Sequence, residues 1–239
     1  MTSLVGLAIL LCALLYCGVP AEPAATDDLC TSQAFHRAFL DGAPGTVEDF
    51  PSVSSVLIGY GDRAIPCLKS IVAGKAQDLG ITKCAPDPET CRSWALGAIG
   101  KIGTPTAKQY LIDFLRHSKN TRLLKGAMLS LADLRVNEAR PDILRFLKDP
   151  DMKVRATAIL SLGLLGDRAD FDPMLAATLS LPPQEIYTGA MGLFRLGDPR
   201  AIQPLEQRLK TMTDPMGRGA IEDVLRQFKV KLHPPSPSS

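Results

Sequence analysis

The sequence contains little of what most nucleic-acid-binding or catalytic sites require. Its 239 residues include one tryptophan and three histidines, and aromatic residues make up 5% of the chain. The 27 Lys and Arg residues nearly balance the 25 Asp and Glu residues, so the formal net charge is +2. Nucleic-acid-binding proteins usually carry strongly basic surfaces, and we therefore expect no nucleic-acid partner.

Motifs for metal, phosphate and covalent chemistry are also missing. The cysteines show no Cys-x-x-Cys or Cys-x-x-His spacing, which argues against a zinc site. No Gly-x-Ser-x-Gly elbow occurs, and no serine has an obvious histidine partner. Gly97, Gly100 and Gly103 lack the spacing of a phosphate-binding loop. We expect no catalytic residues, no metal and no cofactor.

Long apolar runs are absent except at the N-terminus. Leu4 to Tyr16 is uncharged and apolar, too short to cross a bilayer but typical of a signal-peptide core. Small residues ending at Ala21 predict cleavage there, so residues 1–21 are interpreted as a signal peptide. The alternative is a lipoprotein signal acylated at Cys17. The sequence predicts an exported protein, periplasmic or secreted, with a membrane-anchored lipoprotein as the alternative.

The remaining cysteines fit an oxidising compartment. Cleavage of the leader leaves Cys30, Cys67, Cys84 and Cys91, an even number that allows three pairings. Cys84 and Cys91 flank a turn-rich segment, so we expect them to form one disulfide. Cys30 and Cys67 would then form the other and tie the N-terminal segment to the first repeat. The alternative for Cys67 is a buried free thiol.

One pattern recurs about every 31 residues from Leu57 to Leu209. The clearest copy is Ala158-x-x-x-Leu162-Gly163-x-Leu165-Gly166-Asp167, and the same frame returns at 57–62, 95–103, 127–134 and 193–198. A period of this length is typical of stacked helix pairs, none of which can bury its apolar face alone. The sequence therefore predicts an all-α solenoid.

The second helix of each predicted pair carries two apolar residues four positions apart. Residues with this spacing share a helix face, so each pair is expected to pack inward as a ridge. A proline precedes most pairs, where it suits the first helical turn. The pairs are Leu68 and Val72, Leu111 and Leu115, Ile143 and Leu147, Leu175 and Leu179, and Leu205 and Leu209.

The turn between the two helices of a pair has its own signature. Gly166 ends the first helix, since glycine enters the left-handed backbone region without steric cost. Asp167 follows and can accept amide hydrogens at the start of the second helix. Asp62 and Asp198 stand at the same repeat position. Arg135 replaces the glycine in one unit, so we expect that turn to differ locally.

The predicted organisation has four parts. Residues 22–45 form a linker and an N-terminal capping helix, and residues 46–228 form about five repeat units and a C-terminal capping helix. Residues 229–239 are expected to be a disordered tail. The capping helix, Leu29–Leu40, places Ala34, Phe35, Ala38 and Phe39 on one side. An insertion of roughly residues 75–90 is expected to form a loop on one edge of the stack.

The frame Val154-Arg155-x-x-Ala158-x-x-x-Leu162-Gly163-x-Leu165-Gly166-Asp167 resembles HEAT-like repeats of the bilin-lyase type. That resemblance implies a right-handed solenoid with first helices on the convex side and second helices on the concave side. Related arrays include chromophore lyase subunits, DNA-repair glycosylases and hydroxylases that hold iron through His-Glu pairs. The histidines here, His36, His117 and His233, have no glutamate after them, so the iron site is absent.

These observations favour a monomeric, non-enzymatic exported scaffold or adaptor that binds a protein partner. Arg116, Lys148 and Lys210 are candidates for a basic strip on the concave face, although a solvated helix face explains them equally well. The alternatives are a lipid-anchored envelope-assembly protein, which contacts a membrane through Cys17, and a bilin-lyase-like maturation factor. The candidate protein-binding residues are Asp113, Arg116, Arg145, Lys148, Gln207 and Lys210.

Overall fold

The computed structural model describes residues 26–40, 55–82 and 87–232, and these ranges contain thirteen α-helices and no strand. The predicted all-α solenoid is confirmed. The predicted leader, Cys17 and Cys84 lie outside the described residues. No described helix combines the length and the hydropathy that a membrane span requires.

The helices alternate between the first and second helices of successive repeat units. Helices α1 and α2 precede the repeats; α3, α5, α7, α9, α11 and α13 are first helices, and α4, α6, α8, α10 and α12 are second helices. Their bounds are α1 Thr26–Thr31, α2 Gln33–Leu40, α3 Ser55–Gly59, α4 Ile65–Val72, α5 Pro88–Ile102, α6 Pro105–His117, α7 Thr121–Asp133, α8 Arg140–Leu144, α9 Met152–Leu165, α10 Phe171–Leu179, α11 Ile186–Leu196, α12 Ile202–Thr211 and α13 Pro215–Leu232. Short 3₁₀ turns precede α4, α8, α10 and α12 and follow α8, at Gly61–Ala64, Asn137–Ala139, Arg168–Asp170, Pro199–Ala201 and Arg145–Lys148.

The first helices from α5 to α13 pack against one another in chain order, and each second helix packs against a neighbouring first helix. The closest approach joins α9 and α11. A Cβ atom added at Gly163 would lie 2.0 Å from the carbonyl oxygen of Gly192, and one added at Gly192 would lie 2.6 Å from that of Ile159. Only glycine allows backbones to come this close, so these two residues set the spacing between the helices.

The turns between paired helices follow the predicted glycine signature. Gly103, Gly166 and Gly197 end their helices with φ values of +64°, +85° and +74°. The turn at Arg135 differs locally, as expected: the Arg135 amide donates to the carbonyl of Ala132, three residues back, whereas that of Gly166 donates to Leu162, four residues back. Arg135 nevertheless has a positive φ, +54°. The helices packed on either side of the turn fix the chain direction, and the arginine backbone adopts the conformation that glycine takes elsewhere.

Two of the three repeated aspartates cap as predicted. The carboxylates of Asp167 and Asp198 accept hydrogen bonds from backbone N–H groups two residues later, each at 3.0 Å. Asp62 differs because it lies inside its 3₁₀ turn instead of preceding it. Its carboxylate accepts hydrogen bonds from the hydroxyls of Thr104 and, at 3.0 Å, Thr106. Asp62 therefore joins the first unit to the second.

The predicted ridge is wrong in α10. Met174 and Thr178 are buried there, whereas Leu175 and Leu179 are partly exposed. Phe171 is also buried, and positions 171, 174 and 178 share one face of a helix. The hydroxyl of Thr178 donates to the carbonyl of Met174 at 2.8 Å, so its burial leaves no unpaired polar group. In the other second helices the ridge residues are buried, except for the partly exposed Leu209.

The N-terminal cap is two helices instead of the single predicted one. Ser32 separates them: its hydroxyl donates to the carbonyl of Leu29 at 2.8 Å and accepts from the amide of Phe35 at 3.1 Å. This is a helix N-cap, and it explains why the chain starts a new helix here. Phe35, Ala38 and Phe39 are buried as predicted, but Ala34 is exposed.

The cap is fixed to the repeats by covalent and polar bonds. Cys30 and Cys67, the pair expected from the sequence, form a disulfide that joins α1 to α4, with Cα atoms 5.1 Å apart. Cys91 is also disulfide-bonded. The indole N–H of Trp94, on α5, donates to the carbonyl of Phe39 at 3.0 Å. The cap therefore contacts the second helix of unit one and the first helix of unit two.

Two predicted boundaries change. The insertion is not simply an exposed loop, because Ile81 is buried in the core after a left-handed residue at Gly80. Helix α13 continues to Leu232, so residues 229–232 are helical although the sequence placed them in the tail. Residues 83–86 and 233–239 lie outside the described ranges.

Candidate interaction surface

The second helices present a row of exposed side chains, which we call the second-helix surface: the exposed residues of α4, α6, α8 with its following 3₁₀ turn, α10 and α12. Helix α6 contacts α8, and that 3₁₀ turn contacts α10. All six candidate binding residues predicted from the sequence lie on these elements.

Two of the predicted residues on α6 have partners within the chain. Arg116 Nε donates to Asp142 Oδ2, in the next unit, at 2.8 Å. Asp113 accepts a hydrogen bond from Gln109 Nε2 in its own helix at 3.0 Å. Both side chains are exposed, but the charge of Arg116 is balanced by Asp142.

Arg145 links two neighbouring repeat units. Its guanidinium donates to the carbonyl of Leu115, the preceding unit's ridge residue, at 2.7 Å. It also lies 3.9 Å from Asp142 and 5.0 Å from the ring centroid of Phe146. The carboxylate of Asp142 is therefore placed between two arginines, and Arg116 and Arg145 join neighbouring second helices.

The other three predicted residues, Lys148, Gln207 and Lys210, are exposed. In the part of the chain that the structure describes, none of them forms a hydrogen bond or an ion pair through its side chain. Lys148 and Lys210 both lie near the carboxyl ends of their elements, where a cation is favoured by the helix dipole. Among the described residues, the predicted basic strip thus contains two lysines without a hydrogen-bond or ion-pair partner and one arginine whose charge is balanced by Asp142.

Sequence reasoning missed a buried ion pair between units three and four. Arg140 Nε donates to Asp170 Oδ2 at 2.7 Å and lies 3.2 Å from Asp167. The Asp170 side chain is 2% exposed. The hydrogen bond that Arg140 donates to Asp170 raises the pKa of Arg140 above its ordinary value.

A similar pair occurs one unit later. Arg200 Nη2 donates to Asp198 at 2.7 Å, and this bond lowers the pKa of the Asp198 carboxyl below its ordinary value. A signal for the first contact was present in the sequence, since Arg140 and Asp170 lie 30 residues apart, about one repeat. Arg200 and Asp198 are two residues apart and belong to a single turn.

Three arginines on first helices form a second set of ties. Each guanidinium donates to a carbonyl at or just after the end of the preceding second helix or its 3₁₀ extension. Arg92 donates to Val72 at 2.7 Å, Arg155 to Asp149 at 2.8 Å and Arg218 to Leu209 at 2.9 Å. Carbonyls at helix ends lack partners within the helix, so these arginines satisfy them. Arg155 belongs to the repeat frame, which was the available signal.

A concave site lies at the start of the second-helix surface, between α4 and α6. This groove, which we call the α4–α6 groove, has a volume of about 460 Å³. The Lys69 ammonium lies 5.0 Å from the ring centroid of Tyr110, whose burial raises the pKa of its hydroxyl. The groove is lined by Asp62, Ile65, Pro66, Lys69, Ser70, Ala73, Lys75 and Thr106.

A smaller pocket of about 300 Å³ lies at the other end of the stack, lined by Phe194, Arg226, Gln227, Val230 and Lys231. The Lys231 ammonium lies 5.0 Å from the ring centroid of Phe194. Within the described ranges, no group of three or more His, Cys, Asp and Glu side chains is placed to hold a metal ion.

Comparison with known families agrees with this architecture. Residues 111–188 match the family model for HEAT repeats, and residues 92–117 match the model for the PBS lyase HEAT-like repeat. The search of curated proteins found no match. The matched segments extend from α5 into α11, and they support a HEAT-like repeat protein, a repeat scaffold of a kind compatible with protein interaction.

Proposed function

We propose that the chain is a non-enzymatic scaffold or adaptor that acts outside the cytoplasm and binds a protein partner on its second-helix surface. The observation that carries this proposal is the division of labour among the charged residues of that surface. Arg116, Arg145 and Arg140 join repeat units, whereas Lys148 and Lys210 are exposed without an ion pair in the described ranges. Residues that do not hold the units together are available to a partner.

The exported location is supported by the Cys30–Cys67 disulfide, because disulfides persist mainly in oxidising compartments. Intact-mass measurement of the protein purified from its native compartment tests this part. Cleavage after Ala21 is expected. A mass that retains Cys17 with an added acyl group would instead show a lipoprotein, and a full-length cytoplasmic product with reduced cysteines would contradict export.

Partner capture with charge-reversed variants tests the binding surface. The variant Lys148→Glu, Lys210→Glu changes the two lysines of the surface that join no repeat units. The control Lys101→Glu, Lys153→Glu makes the same change in net charge at exposed positions of first helices. We expect the first variant to lose partners that the wild type and the control recover, with unchanged circular dichroism.

Two outcomes of the capture experiment would contradict the proposal in different ways. Equal recovery by both variants would exclude these two lysines as binding residues. Failure of the wild-type protein to recover any protein above the level of a mock purification would contradict the scaffold function.

The match of residues 92–117 to the PBS lyase HEAT-like repeat favours a second candidate, a lyase-like maturation factor. Titration of the purified full chain with a linear tetrapyrrole distinguishes it. The scaffold proposal predicts no change in the tetrapyrrole absorbance spectrum, and a saturable change would favour the maturation factor.

A further inference from the structure

The α4–α6 groove differs from the rest of the second-helix surface in the state of its cations. Lys69 and Lys75 are both exposed, and neither forms an ion pair within the described residues. Arg116, one unit further along, is paired with Asp142 at 2.8 Å. The groove therefore contains two positive charges that folding leaves without a carboxylate.

The charges of the groove are arranged along α4. Asp62 precedes this helix and is held by two threonine hydroxyls, whereas Lys75 follows it. An eight-residue helix is about 12 Å long, so the negative and positive groups lie toward opposite ends of the groove. Between them, the exposed residues Pro66 and Ala73 contribute apolar surface. A ligand that fits must be elongated, apolar in its middle and negative at the lysine end.

Lys69 is also partly fixed before any ligand arrives. Its ammonium lies 5.0 Å from the centroid of the Tyr110 ring, within the range of a cation–π interaction. A side chain that is already held in place loses less conformational entropy when it pairs with a ligand.

We propose that the α4–α6 groove binds a short extended segment of a protein partner in which an acidic side chain follows or precedes an apolar one. The carboxylate pairs with Lys69 and Lys75, and the apolar side chain lies on Pro66 and Ala73. At about 3.3 Å per extended residue, the groove accommodates about four residues. This inference rests on the proposed scaffold function and names the chemistry of the segment it recognises.

Selection from a random-peptide phage library on the purified full chain tests the inference. We expect enriched sequences to contain Asp or Glu beside an apolar residue. For an enriched peptide measured by fluorescence anisotropy, the variant Lys69→Glu, Lys75→Glu should raise Kd about tenfold or more, since charge reversal replaces attraction by repulsion. The control Lys101→Glu, Lys153→Glu makes the same change in net charge at exposed positions of first helices and should leave Kd unchanged.

A neutral variant separates groove binding from general attraction between charges. Ser70→Trp fills the groove without changing its charge, and it should also weaken binding. Selected peptides without acidic residues, or a Kd that Lys69→Glu, Lys75→Glu leaves unchanged, would overturn the inference. Cosedimentation with vesicles of equal parts phosphatidylcholine and phosphatidylglycerol, abolished by the same variant, would reassign the groove to lipid headgroups and also overturn it.

The capture experiments test the proposed scaffold function independently of the groove inference. If the groove variant still captures the native partner while Lys148→Glu, Lys210→Glu does not, the groove inference fails and the scaffold function stands. If the wild-type chain captures no partner and selects no peptide, both fail.

Discussion

The N-terminal end of the array and its interior are stabilised in different ways. At the N-terminal end, a disulfide joins α1 to α4, and the Phe39 and Trp94 rings pack edge to face with centroids 6.5 Å apart. In the interior, α9 and α11 approach through Gly163 and Gly192 until their backbones touch. The same repeat frame is therefore compatible with covalent attachment at one place and close backbone packing at another.

The difference follows from the position of the units in the array. A terminal unit has a repeat neighbour on only one side, so less of its apolar area is covered by other units. Small structures with limited cores commonly gain stability from disulfides. Interior units are stabilised instead by close packing between long helices such as α9, which has fourteen residues. This comparison leads to four predictions.

Removing the Cys30–Cys67 disulfide is expected to have the largest effect. The two cysteines are 37 residues apart in sequence, and closing a loop of this size in the unfolded chain is worth about 4 kcal/mol on the chain-entropy model. Cys30→Ser, Cys67→Ser should lower the free energy of unfolding by about this amount in urea denaturation. Hydrogen exchange should accelerate in α1, α2 and α4 and remain unchanged in α9 and α11. Acceleration of equal size in both regions would contradict the comparison.

Gly163→Ala tests the interior device. The new Cβ would lie 2.0 Å from a backbone oxygen that has no freedom to move, and we expect a loss of about 3 kcal/mol in the free energy of unfolding. Gly97→Ala is the matched control, because no atom lies within 4 Å of the added Cβ and alanine favours a helix by about 0.5–1 kcal/mol. Equal stability of the two variants would show that α9 and α11 separate readily.

Asp170→Asn tests whether polar ties contribute to the interior. The substitution leaves Arg140 without its buried carboxylate, and we expect a loss of about 2 kcal/mol. Asp172→Asn is the control: its side chain is 84% exposed and lies 3.8 Å from Arg200, so its removal should change stability by less than about 0.5 kcal/mol. If thermal unfolding gave both variants the same Tm, the Arg140–Asp170 ion pair would not contribute to the stability of the interior.

Arg135→Gly should have the smallest effect, with the opposite sign. Arginine at a φ of +54° is strained by about 1 kcal/mol, and glycine removes that strain at some cost in unfolded-chain entropy. We expect a modest rise in Tm, seen by differential scanning calorimetry. Gly166→Ala, at a φ of +85°, should lower Tm. A lower Tm for Arg135→Gly would show that the arginine side chain has a stabilising contact greater than the strain.

The repeat architecture was predictable from the sequence because its signals are local. Glycine after each first helix and the spacing of apolar residues report backbone conformation and helix faces directly. The register of α10 was not predictable from the sequence. Leu175 and Leu179 have the same four-residue spacing as Met174 and Thr178, so spacing alone does not show which pair is buried. The conformation of Arg135 is likewise imposed by packing on both sides of its turn, which no local pattern records.

The candidate surface was predictable only in part. The repeat frame placed Arg116 and Lys210 on second helices, where they lie, whereas Arg145 and Lys148 lie on the 3₁₀ turn that follows α8. It did not separate the arginines that bind neighbouring units from the lysines that do not, because a guanidinium's partner depends on the offset between units. The α4–α6 groove depends on the same offset, since Thr106 and Asp62 meet across it.

The spacing of the three arginines on first helices sets the step by which this array can be lengthened. Arg92, Arg155 and Arg218 are separated by 63 residues, twice the repeat, and each holds the end of the helix before it. Copying residues 92–154 in tandem would therefore return every guanidinium to an equivalent carbonyl. A designer who adds a single unit would shift this pattern out of phase, whereas adding two at a time would preserve it.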